Sequence, residues 1–406
     1  MINHYFEFVK SLKTPEKFLL IFWLLGPMIF MSGRFLSDLW LTTIVITFIS
    51  YSIITKNIFW ASFTWIKSLF ILIFLFLISS CFSQDTYFCF SETLAWLRFP
   101  LFLLAIQVFF KDKKEYCELI LLSITLSLIV MLIIGYTEAI FYNKDRLMWP
   151  FSNKIPGSYV AKALLPATIL FSTVLFSKKI SIRITSLLIL FFTAYYVFIT
   201  GERMSFIILI TSMMIVFYFS SSKTMKIISP LSVIIILGLI ILLLGQSENE
   251  IIQGKISRYT SGLFLNLTDV KNSDYWAVWF SGINIFFQNP LTGIGPAYMA
   301  EICDSVKNVI NQNISCQNHP HNYYIQMLAE TGFVGPFALL YFAYSISKFC
   351  YVRSLSQVSY FWVIPVIFFF PIAQNGDFFA QTGNIFTWFP LSVAVLCSGK
   401  RLFEKT

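Results

Sequence analysis

Residues Leu119–Phe141 read "LILLSITLSLIVMLIIGYTEAIF" and decide the fold class. The run is predominantly apolar, with Glu138 as its single charged residue. A helix rising 1.5 Å per residue needs about 20 such residues to cross a hydrocarbon core of roughly 30 Å. Similar runs recur over 18–33, 40–55, 68–83, 90–110, 159–177, 184–200, 204–220, 229–246, 332–349, 359–374 and 384–398. The chain is 57% hydrophobic, 18% aromatic and only 12% charged, with a mean hydropathy of +0.75. Soluble domains carry about 25% charged residues. The expectation is an all-α, polytopic integral membrane protein with about 12 transmembrane helices.

Orientation follows from the basic residues. With the N-terminus inside, most of the 29 Lys and Arg fall on cytoplasmic connections, including Lys10, Lys13, Lys111, Lys113, Lys114, Lys178, Lys179, Lys400 and Arg401. The other side collects Arg34, Lys144, Arg146, Lys154, Arg203, Lys255, Arg258, Lys271 and Lys307. Both termini are therefore expected in the cytoplasm. The net charge of +9 reads as this bias, with no nucleic-acid partner implied. The opening stretch "MINHYFEFVKSLKTPEKF" is polar and basic without a cleavage site, so no removable signal peptide is expected. Neither repeats nor low-complexity tails stand out. Of the cysteines, Cys117, Cys350 and Cys397 fall inside. An oxidising exterior would permit Cys81–Cys89 and Cys303–Cys316 disulfides.

One connection is long. Residues 1–246 carry spans one to nine, 247–331 form a large external helical segment, and 332–406 carry the last spans and a cytoplasmic tail. Within the external segment, Trp276, Trp279, Phe280, Ile283, Phe286 and Phe287 recur at helical spacing, predicting a helix over 272–288. Asn289-Pro290, then Gly293 and Gly295, read as its stop and a tight loop. The segment ends in "NHPHNYYIQMLAETGFVG", Asn318–Gly335, which holds two of the chain's 3 histidines. Pro320 suits a first helical position, with Asn318 or His319 as cap and His321 in the first turn. The helix dipole there favours neutral imidazole, and free N–H groups make an anion site. Asn322, Gln326 and Glu330 share one face. The plainer reading is a set of interfacial polar residues where a helix enters the membrane.

Three arginines draw notice. Arg203 lies in the external turn "ITGERMSF", where Glu202-Arg203 taken alone reads as a topological anchor. Arg258, in "KISRYTSG", follows span nine and could snorkel to headgroups. Arg98 lies within span four, where a charge is functional or paired, and Glu92 is a candidate partner. Lys162 sits near the external end of its span and could also snorkel. The sequence offers no external Asp-x-Asp pair, no metal-ligand spacing, no nucleotide loop and no GxSxG elbow. Neither metal nor cofactor is expected, so chemistry at this face would have to stabilise anions with arginines and dipoles.

These stretches resemble the polytopic O-antigen ligases and their relatives, the O-antigen polymerases and protein O-oligosaccharyltransferases. The family pattern is a His followed by Asn, Ser or Gln, a nine-residue spacer, Gly, two residues, then a small residue or Tyr. It is matched by His321-Asn322, "YYIQMLAET", Gly332, "FV" and Gly335. "FFQNPLTGIG" is similar to the family's aromatic, Pro-Leu and Gly-x-Gly stretch, and Arg203 and Arg258 match its two arginine positions. In place of a family Arg before the aromatic helix this chain has Asp274 in "KNSDYW", with Lys271 as the nearby cation.

The resemblance implies a glycosyltransferase at the periplasmic face of the bacterial inner membrane, in lipopolysaccharide biosynthesis. Its donor would be a glycan on undecaprenyl diphosphate and its acceptor lipid A–core. Arg203 and Arg258 would neutralise the leaving diphosphate, and His321 would act as general base. His319, Asn322, Lys271 and Arg98 are further substrate-binding candidates. The helix around Trp276–Phe287 would close over the lipid tail. A polymerase would use the same donor with a lipid-linked repeat unit as acceptor. A transporter of lipid-linked glycans would need polar or broken helices near the midplane.

Overall fold

The computed structural model describes residues 2–56, 58–142, 146–153, 155–220, 253–254, 257, 259, 274–302, 318–355, 359–371, 376–381, 383–400 and 402. Among the described residues the regular structure is entirely helical. The main elements are α1 (Ile2–Ser11), α2 (Thr14–Ile29), α3 (Arg34–Thr55), α4 (Ile66–Cys81), α5 (Thr86–Trp96), α6 (Arg98–Phe110) and α7 (Lys114–Tyr142). A short turn, Pro156–Ser158, and a π-helical turn, Tyr159–Ala163, lead into α8 (Leu165–Val174). Next come α9 (Ile180–Ile199), α10 (Arg203–Ser220), α11 (Asp274–Gln288), α12 (Tyr323–Thr331), α13 (Val334–Leu355), α14 (Val363–Phe368) and α15 (Ile385–Cys397).

Helix is present at each expected span within the described residues, but over 359–374 it covers only Val363–Phe368, 6 residues and too short to cross a bilayer. Among those residues, 6 helices are long and apolar enough to cross a membrane, or up to 7 if the bent pair Pro156–Ala163 and Leu165–Val174 counts as one span. Shorter apolar helices stand at Ile66–Cys81 and Ile385–Cys397. The expected span 229–246 lies outside the described residues, as do Cys303 and Cys316. Large apolar side chains line the outside of the long helices: Phe35, Ile54, Phe74, Ile133, Phe141 and Ile180 are all exposed. An apolar girdle of this extent is what a bilayer covers.

Lipid tails are as apolar as Leu, so close packing rather than water exclusion must hold such helices together. Aromatic rings supply much of it. Trp23 stacks on Phe102 with centroids 4.7 Å apart, and Trp40 meets Trp23 and Phe30 edge-on at 5.5 and 5.3 Å. These contacts bind α2, α3 and α6, while α15 packs along α6. A second cluster joins Trp96, Phe76, Phe378, Phe379 and Trp388. Trp96 Nε1 donates to Phe378 O at 2.9 Å, so this cluster fixes the loop before α15.

At the end that the basic residues assign to the cytoplasm, Cys117 of α7 and Cys397 of α15 form a disulfide, a pairing absent from the sequence reading. Cys81 and Cys89, a possible disulfide by sequence, are both free thiols, with Cys89 buried.

Candidate functional site

Arg146, Ser158, Lys162, Glu202, Arg203, Ser205 and His321 line a cavity of about 470 Å³ at the opposite end of the bundle. They come from the loop after α7, the π-helical turn, the α9–α10 turn and the segment before α12. Arg203 and His321 were singled out by sequence and do meet here. Arg146 was seen only as one of the external cations. Lys162, read as a snorkelling residue, instead forms part of the cavity wall. A π-helical turn adds a residue to the helical repeat and so redirects its side chains, and Lys162 sits inside one. Arg258 and Lys271 lie outside the described residues.

Two carboxylates, Glu138 fully buried and Glu202 half-buried, hold the wall that presents these cations. Glu138 of α7 accepts from Met148 N at 2.9 Å and Trp149 N at 2.8 Å, fixing the loop just beyond Arg146. Glu202 accepts from Gly157 N at 2.7 Å, Ser158 N at 2.8 Å, Ser158 Oγ at 2.6 Å and Ser205 Oγ at 3.0 Å. It thus ties the turn carrying Arg203 to the turn leading to Lys162. Burial pushes the Glu202 carboxyl up, and these bonds with nearby Arg146 oppose the shift. Glu202 is therefore more than a topological anchor.

The histidine segment differs from its expected geometry. The helix begins at Tyr323, not Pro320, and its cap is Asn322, whose Oδ1 accepts from Tyr324 N at 2.9 Å and Ile325 N at 3.2 Å. Its Nδ2 donates to Pro371 O at 2.9 Å, so both ends of this amide hold structure. The structure thus gives Asn322 a capping role. His321 stands just before the helix with φ 53°, in the left-handed region. That conformation costs a non-glycine residue about 1 kcal/mol and is a sign of a constrained position. Its Nδ1 lies 3.0 Å from His319 Nε2, the rings meeting edge-on at 4.2 Å. Burial, then the neighbouring His321, lowers the His319 imidazole to about 4.

The two glycine-containing stretches, 289–295 and 329–335, dock on each other through backbone. Ile294 N donates to Ala329 O at 3.1 Å, Gly295 N to Glu330 O at 2.9 Å and Phe333 N to Pro290 O at 3.0 Å. Such proximity leaves no room for side chains. A Cβ on Gly332, at φ +74°, would sit 2.3 Å from Leu291 O, and one on Gly293, at φ +68°, 2.2 Å from Glu330 C. The Ser79 hydroxyl of α4 lies within 2.7 Å of Thr292 O and 2.6 Å of Glu330 O, joining this knot to the bundle. The helix expected over 272–288 is present as α11, but its aromatic face is not the buried one. Val278, Ser281 and Ile285 are buried, and a Cβ on Gly282 would lie 2.8 Å from Ile325 Cγ2. Trp276 and Phe280 stack on the half-buried side at 6.0 Å, and Phe287 is exposed.

Gln326 organises the buried face of α12. Its Nε2 donates to Asp377 Oδ1 at 2.6 Å and lies 3.2 Å from Glu330 Oε2, and its Oε1 accepts from Phe378 N at 2.8 Å. Burial pushes both carboxyls up, Glu330 most strongly, and their mutual charge adds to this for Glu330. Arg98 pairs with Asp38 rather than Glu92: its Nη2 is 3.2 Å from Asp38 Oδ1 and 2.6 Å from Gln381 O. Glu92 instead accepts from Gln381 Nε2 at 2.6 Å. Arg98 lines neither this cavity nor the one beside it. Among the described residues no His, Cys and carboxylate cluster has metal-binding geometry.

Residues 188–340 match the family model described as O-antigen ligase. That region contains Arg203, His321 and both docked glycine stretches. No curated protein matches the chain.

Proposed function

The chain is a multi-pass membrane protein of the O-antigen ligase family, and from that premise we propose a glycosyltransferase that takes its glycan from undecaprenyl diphosphate at the outer face of the inner membrane. The observation that carries this reading is the meeting of Arg146, Lys162, Arg203 and His321 around one cavity. The acceptor hydroxyl attacks the anomeric carbon, the bond from that carbon to the diphosphate oxygen breaks, and its electron pair leaves with the diphosphate. Arg146, Lys162 and Arg203 offset the negative charge of that leaving group. Arg258 and Lys271 are assigned to the same role.

His321 takes the proton of the attacking hydroxyl on Nε2. Its Nδ1–H then donates to His319 Nε2, which burial keeps neutral and able to accept. His319 is thus a positioning residue. Arg98, paired with Asp38, supports the loop around Gln381 and keeps a binding role only at the periphery. The segment 247–331 is assigned to the periplasm and both termini to the cytoplasm. Lipid A–core is the assigned acceptor, a second lipid-linked glycan being the polymerase alternative. The electrostatic work falls to side chains, without a metal.

In lipid nanodiscs, undecaprenyl diphosphate should bind the wild-type protein, and Arg203→Ala or Arg146→Ala should weaken binding about tenfold or more, each lost charged contact being worth about 1.5–3 kcal/mol. His321→Ala should bind donor normally and fail to transfer. Transfer at the wild-type rate by His321→Ala would remove it as the base. Unchanged donor binding in both arginine variants would remove the cavity as the diphosphate site.

A further inference from the structure

A second cavity, of about 480 Å³, shares Ile155, Ser158, Lys162 and Gly376 with the cationic one. Its character is different. Phe30, Phe151 and Phe386 contribute aromatic surface, Asp377, Asn384 and Thr387 contribute neutral or acidic polar groups, and beside the shared Lys162 the exposed Arg34 is its one further cation. The geometry points to a saccharide subsite here, with the Asp377 carboxylate receiving hydroxyls of the donor sugar next to the diphosphate. This inference rests on the proposed function and says where its sugar goes.

The aromatic and Asp377 side of the wall, away from Arg34 and Lys162, fits a pyranose better than a lipid tail or a second anion. A pyranose has an apolar C–H face, which packs on aromatic rings, and a rim of hydroxyls, which need acceptors. Phe151 and Phe386 lie 6.2 Å apart at a steep angle, and both meet Tyr159, at 5.3 and 5.4 Å, so this aromatic wall is rigid. Asp377 is held by its Oδ1, which accepts from Gln326 Nε2 at 2.6 Å and Phe379 N at 2.9 Å. Among the described residues nothing donates to its Oδ2, and no Lys or Arg forms an ion pair with it. Asn384 commits its amide nitrogen to Phe378 O and Ala380 O, at 2.5 and 2.9 Å, leaving its oxygen as a second acceptor. Ligand sites combine apolar walls with a few placed polar groups in this way. A carboxylate facing hydroxyl donors makes charge-assisted bonds, about twice as strong as neutral ones. The same carboxylate would repel phosphate, which separates the sugar side from the cationic side across the shared Lys162.

The test compares two probes on the full chain in nanodiscs: undecaprenyl diphosphate, and undecaprenyl diphosphate bearing a single N-acetylhexosamine. The sugar-bearing lipid should bind the wild type about tenfold more tightly, equivalent to roughly 1.4 kcal/mol. Asp377→Asn keeps an oxygen for Gln326 and Phe379 and so preserves the loop. It should reduce the sugar-dependent gain at least threefold while bare undecaprenyl diphosphate binds as before. Phe151→Leu should do the same through the aromatic wall. A full gain in both variants overturns the subsite. So does a wild type that binds the bare lipid with no gain from the sugar, and in that case the diphosphate site stands. A wild type that binds neither probe overturns the proposed function, and the subsite with it.

Discussion

Replacing Glu202 by Gln tests the clamp that positions the cationic wall. The carboxylate faces four donors: Gly157 N, Ser158 N, Ser158 Oγ and Ser205 Oγ. Gln keeps the shape but presents one oxygen and one NH2. The serine hydroxyls can rotate and accept from that NH2. One backbone N–H cannot, and it is left buried against another donor. An unsatisfied buried donor costs about 1–3 kcal/mol. Part of this is offset because burial already disfavours the charged form of Glu202, so the net loss expected is about 1–2 kcal/mol. Glu202→Ala strands both N–H groups and opens a void, for about 3–5 kcal/mol. Thermal unfolding of purified variants in detergent should rank wild type above Gln above Ala. Because the clamp joins the Arg203 turn to the Lys162 turn, Gln should also reduce glycan transfer about tenfold, with donor still bound. Equal stability of all three proteins would refute the clamp.

Gly332→Ala forces a Cβ into 2.3 Å of Leu291 O at φ +74°, and should cost about 3–5 kcal/mol from strain and overpacking; Gly383→Ala, with its nearest neighbour at 3.9 Å, is the control, and both are read by melting temperature. Asn322→Ser should retain the helix cap, whereas Asn322→Ala should lose about 1 kcal/mol or more; an Ala variant as stable as wild type would remove the capping account. His319 is held at about 4 in the fold against 6.5 for the free side chain, so the unfolded chain binds more protons between those values. The stability from neutral His319 is complete above about pH 6.5 and lost as pH falls towards 4, a total of about 3 kcal/mol. His319→Gln should flatten that pH dependence, which unfolding measured across pH 4–7 will show.

Much of this was legible one residue at a time. Apolar runs locate helices because a lipid-facing helix carries its signal in consecutive residues, and α7 needs nothing else. The spacing from His321 to Gly332 also reads directly, since both lie on one helix and its ends. The clamps do not. Glu138 and Glu202 act on N–H groups whose identity depends on how the loop after α7 returns across the α9–α10 turn. Arg146 and Lys162 enter the site for the same reason, and only the scarcity of external cations hinted at them. Pro320 looked like a helix start because proline suits that position, but the side chain of Asn322 supplied a better cap two residues later. On α11 the aromatic periodicity was real, yet close packing against α12 selected the small face around Gly282.

Glycan transfer is measured most directly by supplying purified protein with an undecaprenyl-diphosphate-linked glycan, EDTA, and lipid A–core in one of two otherwise identical tubes. The sugar–diphosphate bond should break, undecaprenyl diphosphate should be released in step with glycan on lipid A–core, and Arg203→Ala and His321→Ala should abolish both. Chain growth without lipid A–core would keep the site and change the acceptor to a lipid-linked glycan. A folded wild type that binds the donor and leaves that bond intact in both tubes would show that the protein is not a glycosyltransferase.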